Sequence, residues 1–147
     1  MEVVIRRGTL EDIPAAYQLV KELAIYERAL ELLANTPEKM AKDLEEKLFD
    51  FIVADEGGLI VGMSLYYFRY STWRGKRLYM EDIVVTESKR GHGIGKLLFD
   101  GTVKIAKEMN CTGMNWQVLD WNTSAVNFYR KYGTSYDDEW INCNLDF

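Results

Sequence analysis

Between Val85 and Leu97 the chain carries Lys89-Arg90-Gly91-His92-Gly93-Ile94-Gly95-Lys96, which joins a predicted strand to the start of an amphipathic helix. Glycines at alternate positions let successive backbone N–H groups turn toward one centre, and a helix N-terminus adds about half a positive charge. Lys89, Arg90 and Lys96 add more, so the spacing predicts a cradle for a diphosphate. It is not a dinucleotide fingerprint, which needs glycine where Lys96 stands. Nor is it a Walker A loop, which needs glycine at Arg90 and serine or threonine at Leu97. The alternative use of the same glycines is a plain strand-to-helix turn. Just upstream, Glu81 and Asp82 interrupt the apolar run Leu78 to Val85. Carboxylates are costly to bury without partners, so this pair marks a candidate site, the alternative being a solvated edge charge. Regular alternation puts Glu81 with Ile83 and Val85 on one side and Asp82 with Val84 on the other, so a regular strand cannot offer both acids to one face.

The elements that must position these groups follow from periodicity. Val3 to Arg6 reads as a strand. Thr9-Leu-Glu-Asp12 reads as a capping box, with Asp12 an alternative cap that would suit Pro14. Ile13, Ala16, Tyr17, Val20, Leu23 and Ala24 make one apolar helical stripe. After a poorly patterned stretch from Tyr26 to Asn35, Thr36 and Pro37 open a second helix with Met40, Leu44 and Leu48 in register. Phe51 to Ala54 and Leu59 to Phe68 form a hairpin around Asp55-Glu-Gly-Gly58. Arg69 to Lys76 reads as a loop and Arg77 to Val85 as a third strand. A helix runs from Gly93 to about Met109, followed by a strand over Gly113 to Leu119. Asn122 caps a last short helix with Ala125, Phe128, Tyr129 and Tyr132 on one face and Gly133 as its stop, and Glu139 to Leu145 reads as a closing strand. The order βααβββαβαβ predicts a mixed α/β fold with a central sheet, and without repeats or a linker it predicts one domain over residues 1–147.

Composition narrows the function classes. The 147 residues carry 18 Lys plus Arg against 23 Asp plus Glu, a net charge of −5 that offers nucleic acid no bulk footprint and suits a cationic substrate. No apolar run approaches the ~18 residues of a membrane span, so no membrane partner is expected. Cys111 and Cys143 stand far apart, and no signal-peptide pattern opens the chain, so a cytoplasmic protein with reduced thiols is expected. One histidine, His92, excludes an H-E-x-x-H zinc site, and no metal is expected.

Arg90-x-x-Gly93-x-Gly95 resembles the R/Q-x-x-G-x-G/A motif of the GNAT superfamily of N-acetyltransferases, whose element order is also similar. Lys21 to Glu27, Tyr70-Ser-Thr-Trp73, Leu78 to Asp82, Asp120-Trp-Asn122 and Asn127-Phe-Tyr129 resemble the branch of diamine (spermidine/spermine) and thialysine N-epsilon-acetyltransferases, with Tyr-Ser-Thr-Trp closer to the thialysine type. Ser71-Thr72 stands where polyamine-specific members carry Asp-Pro, a departure that counts against a long polyamine.

The resemblance implies that the protein transfers the acetyl group of acetyl-CoA to a primary amine of a small molecule, a thialysine-like amino acid, diamine or polyamine, and that it forms a homodimer. Transfer to a protein or peptide amine, and a non-catalytic acetyl-CoA-binding module, are the alternatives. Such an amine, with a pKa near 10.4, must lose a proton before it attacks. The resemblance implies a bulge in the strand Arg77 to Val85, with Glu81 as base through water and Asp82 steering the ammonium. It gives the cofactor to main-chain N–H groups in Ile83, Val84 and Val85, to the loop Arg90, Gly91, His92, Gly93, Ile94, Gly95 and Lys96, and to Asn122; Tyr129 would protonate the leaving sulfur. His92 takes no catalytic role. The acceptor would meet Tyr26, Glu27, Trp73, Asn115, Trp116 and Gln117 together with the two acids. By spacing alone Tyr129 is one residue of an apolar helix face, Asn122 is a helix cap, Glu27 is a surface charge and Trp73 packs over the hairpin. Neither cysteine lies in a candidate site motif, so direct transfer without a covalent enzyme intermediate is expected.

Overall fold

The computed structural model describes residues 2–147. They form two compact units, the first ending at Trp116 and the second spanning Gln117–Phe147.

In the first unit, strands β1 (Val3–Arg7), β2 (Asp50–Glu56), β3 (Leu59–Ser71), β4 (Gly75–Val85) and β5 (Met114–Asn115) lie in that order in one sheet. The first four are antiparallel neighbours and β5 joins β4 in parallel. The two-residue turn between β2 and β3 uses Gly57 and Gly58 at φ 60° and 96°, as a tight hairpin requires, and Asp55 Oδ1 accepts the Gly58 N–H at 2.7 Å. Helices α1 (Ile13–Tyr26) and α2 (Pro37–Glu45) cover one face, where Ile13, Ala16, Leu19 and Met40 close a core with Phe51, Val53, Met63, Leu65 and Val84. Helix α3 (Ile94–Glu108) covers the other face. There the Thr102 hydroxyl lies 2.7 Å from Ser64 Oγ and 2.8 Å from the Leu98 carbonyl, so these two buried hydroxyls have partners. The helix comes so close that a Cβ on Gly62 would stand 2.9 Å from the Val84 carbonyl and 3.0 Å from Leu98 Cδ1.

The Thr9–Asp12 capping box forms, whereas the Asp12 side chain makes no cap hydrogen bond to α1 itself. Asp12 stands at the N-cap position of α1 with Pro14 in the first turn, and its carboxylate takes the Thr9 N–H at 2.8 Å. Arg6 grips the same carboxylate at 2.8 and 3.0 Å and reaches Asp55 at 3.0 Å, tying β1 to β2 and to the helix start. Three helices stop at residues other than glycine. Arg28, Lys47 and Asn110 each take φ 60°, and the next N–H closes back on Ala24, Asp43 or Ala106 at 2.9 to 3.0 Å. This ends α2 at Glu45 and leaves Leu48, expected in the helical stripe, 59% exposed.

Three expected boundaries change. The loop from Arg69 to Lys76 shrinks to Thr72–Arg74, because β3 and β4 pair as far as Ser71 with Gly75 and the Ser71 hydroxyl accepts the Arg74 N–H at 3.0 Å. The strand over Gly113 to Leu119 is two residues long. In the second unit α4 (Thr123–Arg130) forms with Asn122 as cap and Gly133 at φ 72°, but Glu139 to Leu145 forms no strand. Its hydrogen bonds within the unit are local or through side chains, such as Gln117 Nε2 to Asn142 Oδ1 at 3.1 Å, so no ladder builds up.

Candidate active site

The site is built on an irregularity in β4. Leu65 pairs with Asp82 and Tyr66 with Met80, so Glu81 is an extra residue with no partner in β3. Upstream, Leu78 and Met80 share the sheet face of Phe68 and Tyr66. Downstream, Asp82 and Val84 share the face of Leu65 and Met63, against α1 and α2. The bulge thereby brings Glu81 and Asp82, which regular alternation would separate, to one cavity of about 180 Å³. Its apolar walls come from Val20 of α1, Met40 of α2, Phe49 and Leu65.

The two acids differ in environment. The Tyr67 hydroxyl donates to Glu81 Oε1 at 3.0 Å, which fixes the carboxylate; burial and the Glu81 charge push that phenol up to about 12. Tyr67 packs on Tyr79 at 5.3 Å between centroids, and the Arg69 guanidinium covers Tyr79 at 5.3 Å, so the support continues across the hairpin. Asp82 is pushed up to about 7, first by burial and then by the charges of Glu81 and Glu27. Glu27 closes the end of α1, its N–H on the Leu23 carbonyl at 2.8 Å, and burial raises its own carboxyl above the ordinary value.

The loop between β4 and α3 meets the end of α1. Arg90 donates from Nε to the Val85 carbonyl at 3.0 Å and lays its guanidinium 5.2 Å from the centre of the Tyr26 ring. The Thr86 hydroxyl donates to Glu22 Oε1 at 2.9 Å. Gly91 and Gly93 both take φ 81°, so backbone shape rather than crowding calls for glycine, and nothing lies within 4 Å of where a Cβ would sit. Gly95 is helical, and a Cβ there would only touch Val85 Cγ2 at 3.9 Å. The first helical bond runs from Leu97 N–H to the Gly93 carbonyl at 3.1 Å, so the N–H groups of the turn before it are not spent within the helix. These features fit a diphosphate. Of the expected cations, Lys89 is engaged with Glu56 at 2.7 Å and Lys96 with Asp100 at 2.6 Å, leaving Arg90 as the guanidinium of the loop itself. His92 Nδ1 lies 3.2 Å from the Lys89 carbonyl and braces the turn.

On its other edge β4 pairs with β5 only at Leu78 with Met114 and Tyr79 with Asn115, so Ile83, Val84 and Val85 have β3 on one side and no β5 partner on the other. Asn115 Oδ1 accepts from Arg77 Nε at 3.0 Å, and the Trp116 ring packs edge-on against Phe99 at 5.3 Å. Neither lines the cavity. Trp73 is 89% exposed at the hairpin tip, and six residues of strand from Gly75 to Glu81 put it roughly 20 Å from the acids. The expectation that it packs over the hairpin does not hold, and within one chain it does not wall this cavity. In the second unit, Asn122 Oδ1 accepts the Ala125 N–H at 3.3 Å, the Gln117 amide is held by Asn142, and Tyr129 is buried on α4 with its ring 5.4 Å from that of Phe128.

Tyr67, Arg77, Asn35 and Asp43 belong to these surroundings and were not singled out from sequence. Their signals appear only once the strand register and the helix packing are known.

Residues 14–134 match the acetyltransferase (GNAT) family. The chain belongs to that family. Members of that family use acetyl-CoA, a diphosphate-bearing cosubstrate. The chain is 33% identical over 141 residues to the thialysine N-epsilon-acetyltransferase of Bos taurus, covering 89% of this chain and 83% of that protein. It is 34% identical over 138 residues to the spermidine/spermine N(1)-acetyltransferase-like protein 1 of Homo sapiens, covering 88% of this chain and 20% of that longer protein. The solved structure of an aminoglycoside acetyltransferase, meta-AAC0020, from an uncultured soil metagenomic sample superposes with a TM-score of 0.81 at 21% identity, covering 99% of this chain and 96% of that one, and so shares the fold.

Proposed function

We propose that this acetyltransferase moves the acetyl group of acetyl-CoA directly to a primary amine of a small molecule, a thialysine-like amino acid, a diamine or a polyamine. The observation that carries the reading is the bulge at Glu81, which sets two carboxylates side by side in a small apolar-walled cavity. A cavity of about 180 Å³ suits an alkylamine better than a peptide backbone. Asp82, with Glu27 behind it, draws the ammonium in, and Glu81, held by Tyr67, takes one proton from it through water. The freed nitrogen lone pair forms the new C–N bond to the acetyl carbon as the C–S bond breaks. Within Ile83 to Val85, where consecutive N–H groups alternate between the two strand edges, an N–H on the edge away from β3 faces the developing charge on the carbonyl oxygen. Tyr129, assigned from the Asn127-Phe-Tyr129 motif, gives its phenolic proton to the departing sulfur and is reprotonated through water by the second proton that the acetylated nitrogen sheds, and Asn122 and the Arg90 to Lys96 loop hold the cosubstrate. The same reading makes the protein a cytoplasmic homodimer with Cys111 and Cys143 as free thiols, acting without metal, nucleic acid or membrane.

The test follows release of CoA thiol with thialysine, lysine, spermidine, putrescine, an aminoglycoside and a histone-tail peptide. A small amine is expected to turn over, with kcat falling about 10²- to 10⁴-fold in Glu81→Gln and sharply in Tyr129→Phe. Turnover of the peptide alone, or undiminished kcat in Glu81→Gln, would count decisively against the reading.

A further inference from the structure

The cavity below the bulge has acids on two of its walls. Asp82 comes from β4 and Asp43 from α2, and Val20, Met40, Phe49 and Leu65 supply the apolar surface. Asp43 is half-buried, and its carboxylate has no hydrogen-bond or ion-pair partner among the described residues. The charges that bear on Asp82 are those of Glu81 and Glu27, both on the β4 and α1 side, and no lysine or arginine lines the cavity. A volume of 180 Å³ is about six waters' share of liquid, which is room for a short methylene chain. A carboxylate that lines the cavity and has no ion-pair partner offers a cation in the cavity a counter-charge. A molecule with one ammonium toward Asp82, an apolar middle and a second cation toward Asp43 would satisfy every wall at once.

We propose that Asp43 is a specificity-determining residue that receives the second cation of the acceptor, so that the enzyme selects short α,ω-diamines over monoamines of equal length and over amino acids. This rests on the small-amine reading above. An amino acid acceptor would bring its α-carboxylate toward Asp43, where like charges repel.

The test compares kcat/KM for 1,4-diaminobutane, butylamine and lysine in the parent protein, Asp43→Asn, Asp43→Glu and Glu45→Gln, each checked for an unchanged melting temperature. Glu45 is an exposed α2 acid that does not line the cavity and controls for general charge. The expected result is a diamine-to-monoamine ratio of at least tenfold in the parent. It falls about tenfold in Asp43→Asn, mainly through KM, stays in Glu45→Gln, and in Asp43→Glu is kept with an optimum shifted to a shorter diamine. An equal ratio in parent and Asp43→Asn, or the same loss in Glu45→Gln, overturns the assignment. If the parent acetylates no amine, the proposed function fails, and calorimetric binding of 1,4-diaminobutane against butylamine to the same four proteins decides the role of Asp43 by the same ratios.

Discussion

Asp82 makes a sharp prediction for stability against pH. Its carboxyl is pushed from 3.8 up to about 7 by burial, with Glu81 and Glu27 adding to the effect. Well below pH 3.8 the group is protonated in both folded and unfolded chains. As pH rises the unfolded chain ionises first, whereas the folded protein keeps its proton until about pH 7, so stability falls across that window and levels off above it. The gap corresponds to about 4 kcal/mol over the whole titration, of which about 2–3 kcal/mol falls between pH 5 and pH 8. These are upper figures, since water at the cavity mouth screens part of the charge. Asp82→Asn keeps the shape and removes the titration. In urea unfolding at pH 5, 6, 7 and 8 the variant should therefore gain about 2 kcal/mol on the parent protein from the lowest to the highest pH. Adding Glu27→Gln to the parent should shrink the pH dependence, because one of the opposing charges is gone. Parallel profiles for parent and Asp82→Asn would refute the reasoning, since they would mean that Asp82 ionises freely in the folded protein.

Two further outcomes test the backbone. Gly93→Ala forces a side chain into φ 81° at the start of α3 and should weaken CoA binding, measured by calorimetry, at least tenfold while costing about 1 kcal/mol of stability. Gly95→Ala, helical with only a 3.9 Å contact, should fold with little loss; equal damage from both substitutions would contradict the account of the loop. Lys47→Gly relieves an exposed residue held at φ 60° after α2 and should raise stability by about 0.5–1 kcal/mol in the same urea assay, and a loss would show that the left-handed turn there is not the strained element.

Much of the first unit was legible because its periodicities are unmixed. The stripe from Ile13 to Ala24 has one helical face, and the Asp55 to Gly58 turn has glycines where a two-residue hairpin needs them. The failures have physical causes. Apolar spacing carries the second helix to Leu48, whereas Lys47 turns the chain left-handed after Glu45 with a side chain that gives no signal. Glu139 to Leu145 alternates like a strand, yet alternation only offers a face, and a strand also requires a neighbouring backbone to pair with. Trp73 does not pack over the hairpin, because the pairing of β3 with β4 as far as Ser71 carries it to the exposed tip.

The acid pair of the candidate site was legible as residue types, and its geometry was illegible for one reason. Leu78 to Val85 is apolar on both sides of the strand, with Leu78, Met80 and Val84 in one alternation and Tyr79, Ile83 and Val85 in the other, so the pattern fixes no register. The register is fixed by packing. Leu78 and Met80, 0% and 2% exposed, lie on the face of Tyr66, whereas Val84 at 5% must reach the opposite core formed with α1 and α2. Both demands are met only if one residue between them drops out of the ladder, and that residue is Glu81. The burial that stabilises the sheet therefore also holds Glu81 beside Asp82, which explains why a residue with no partner in β3 persists at the centre of a well-packed strand. An adjacent acid pair in a strand that is apolar on both sides is thus itself a sign of a bulge, because no regular strand gives two neighbouring carboxylates a common cavity.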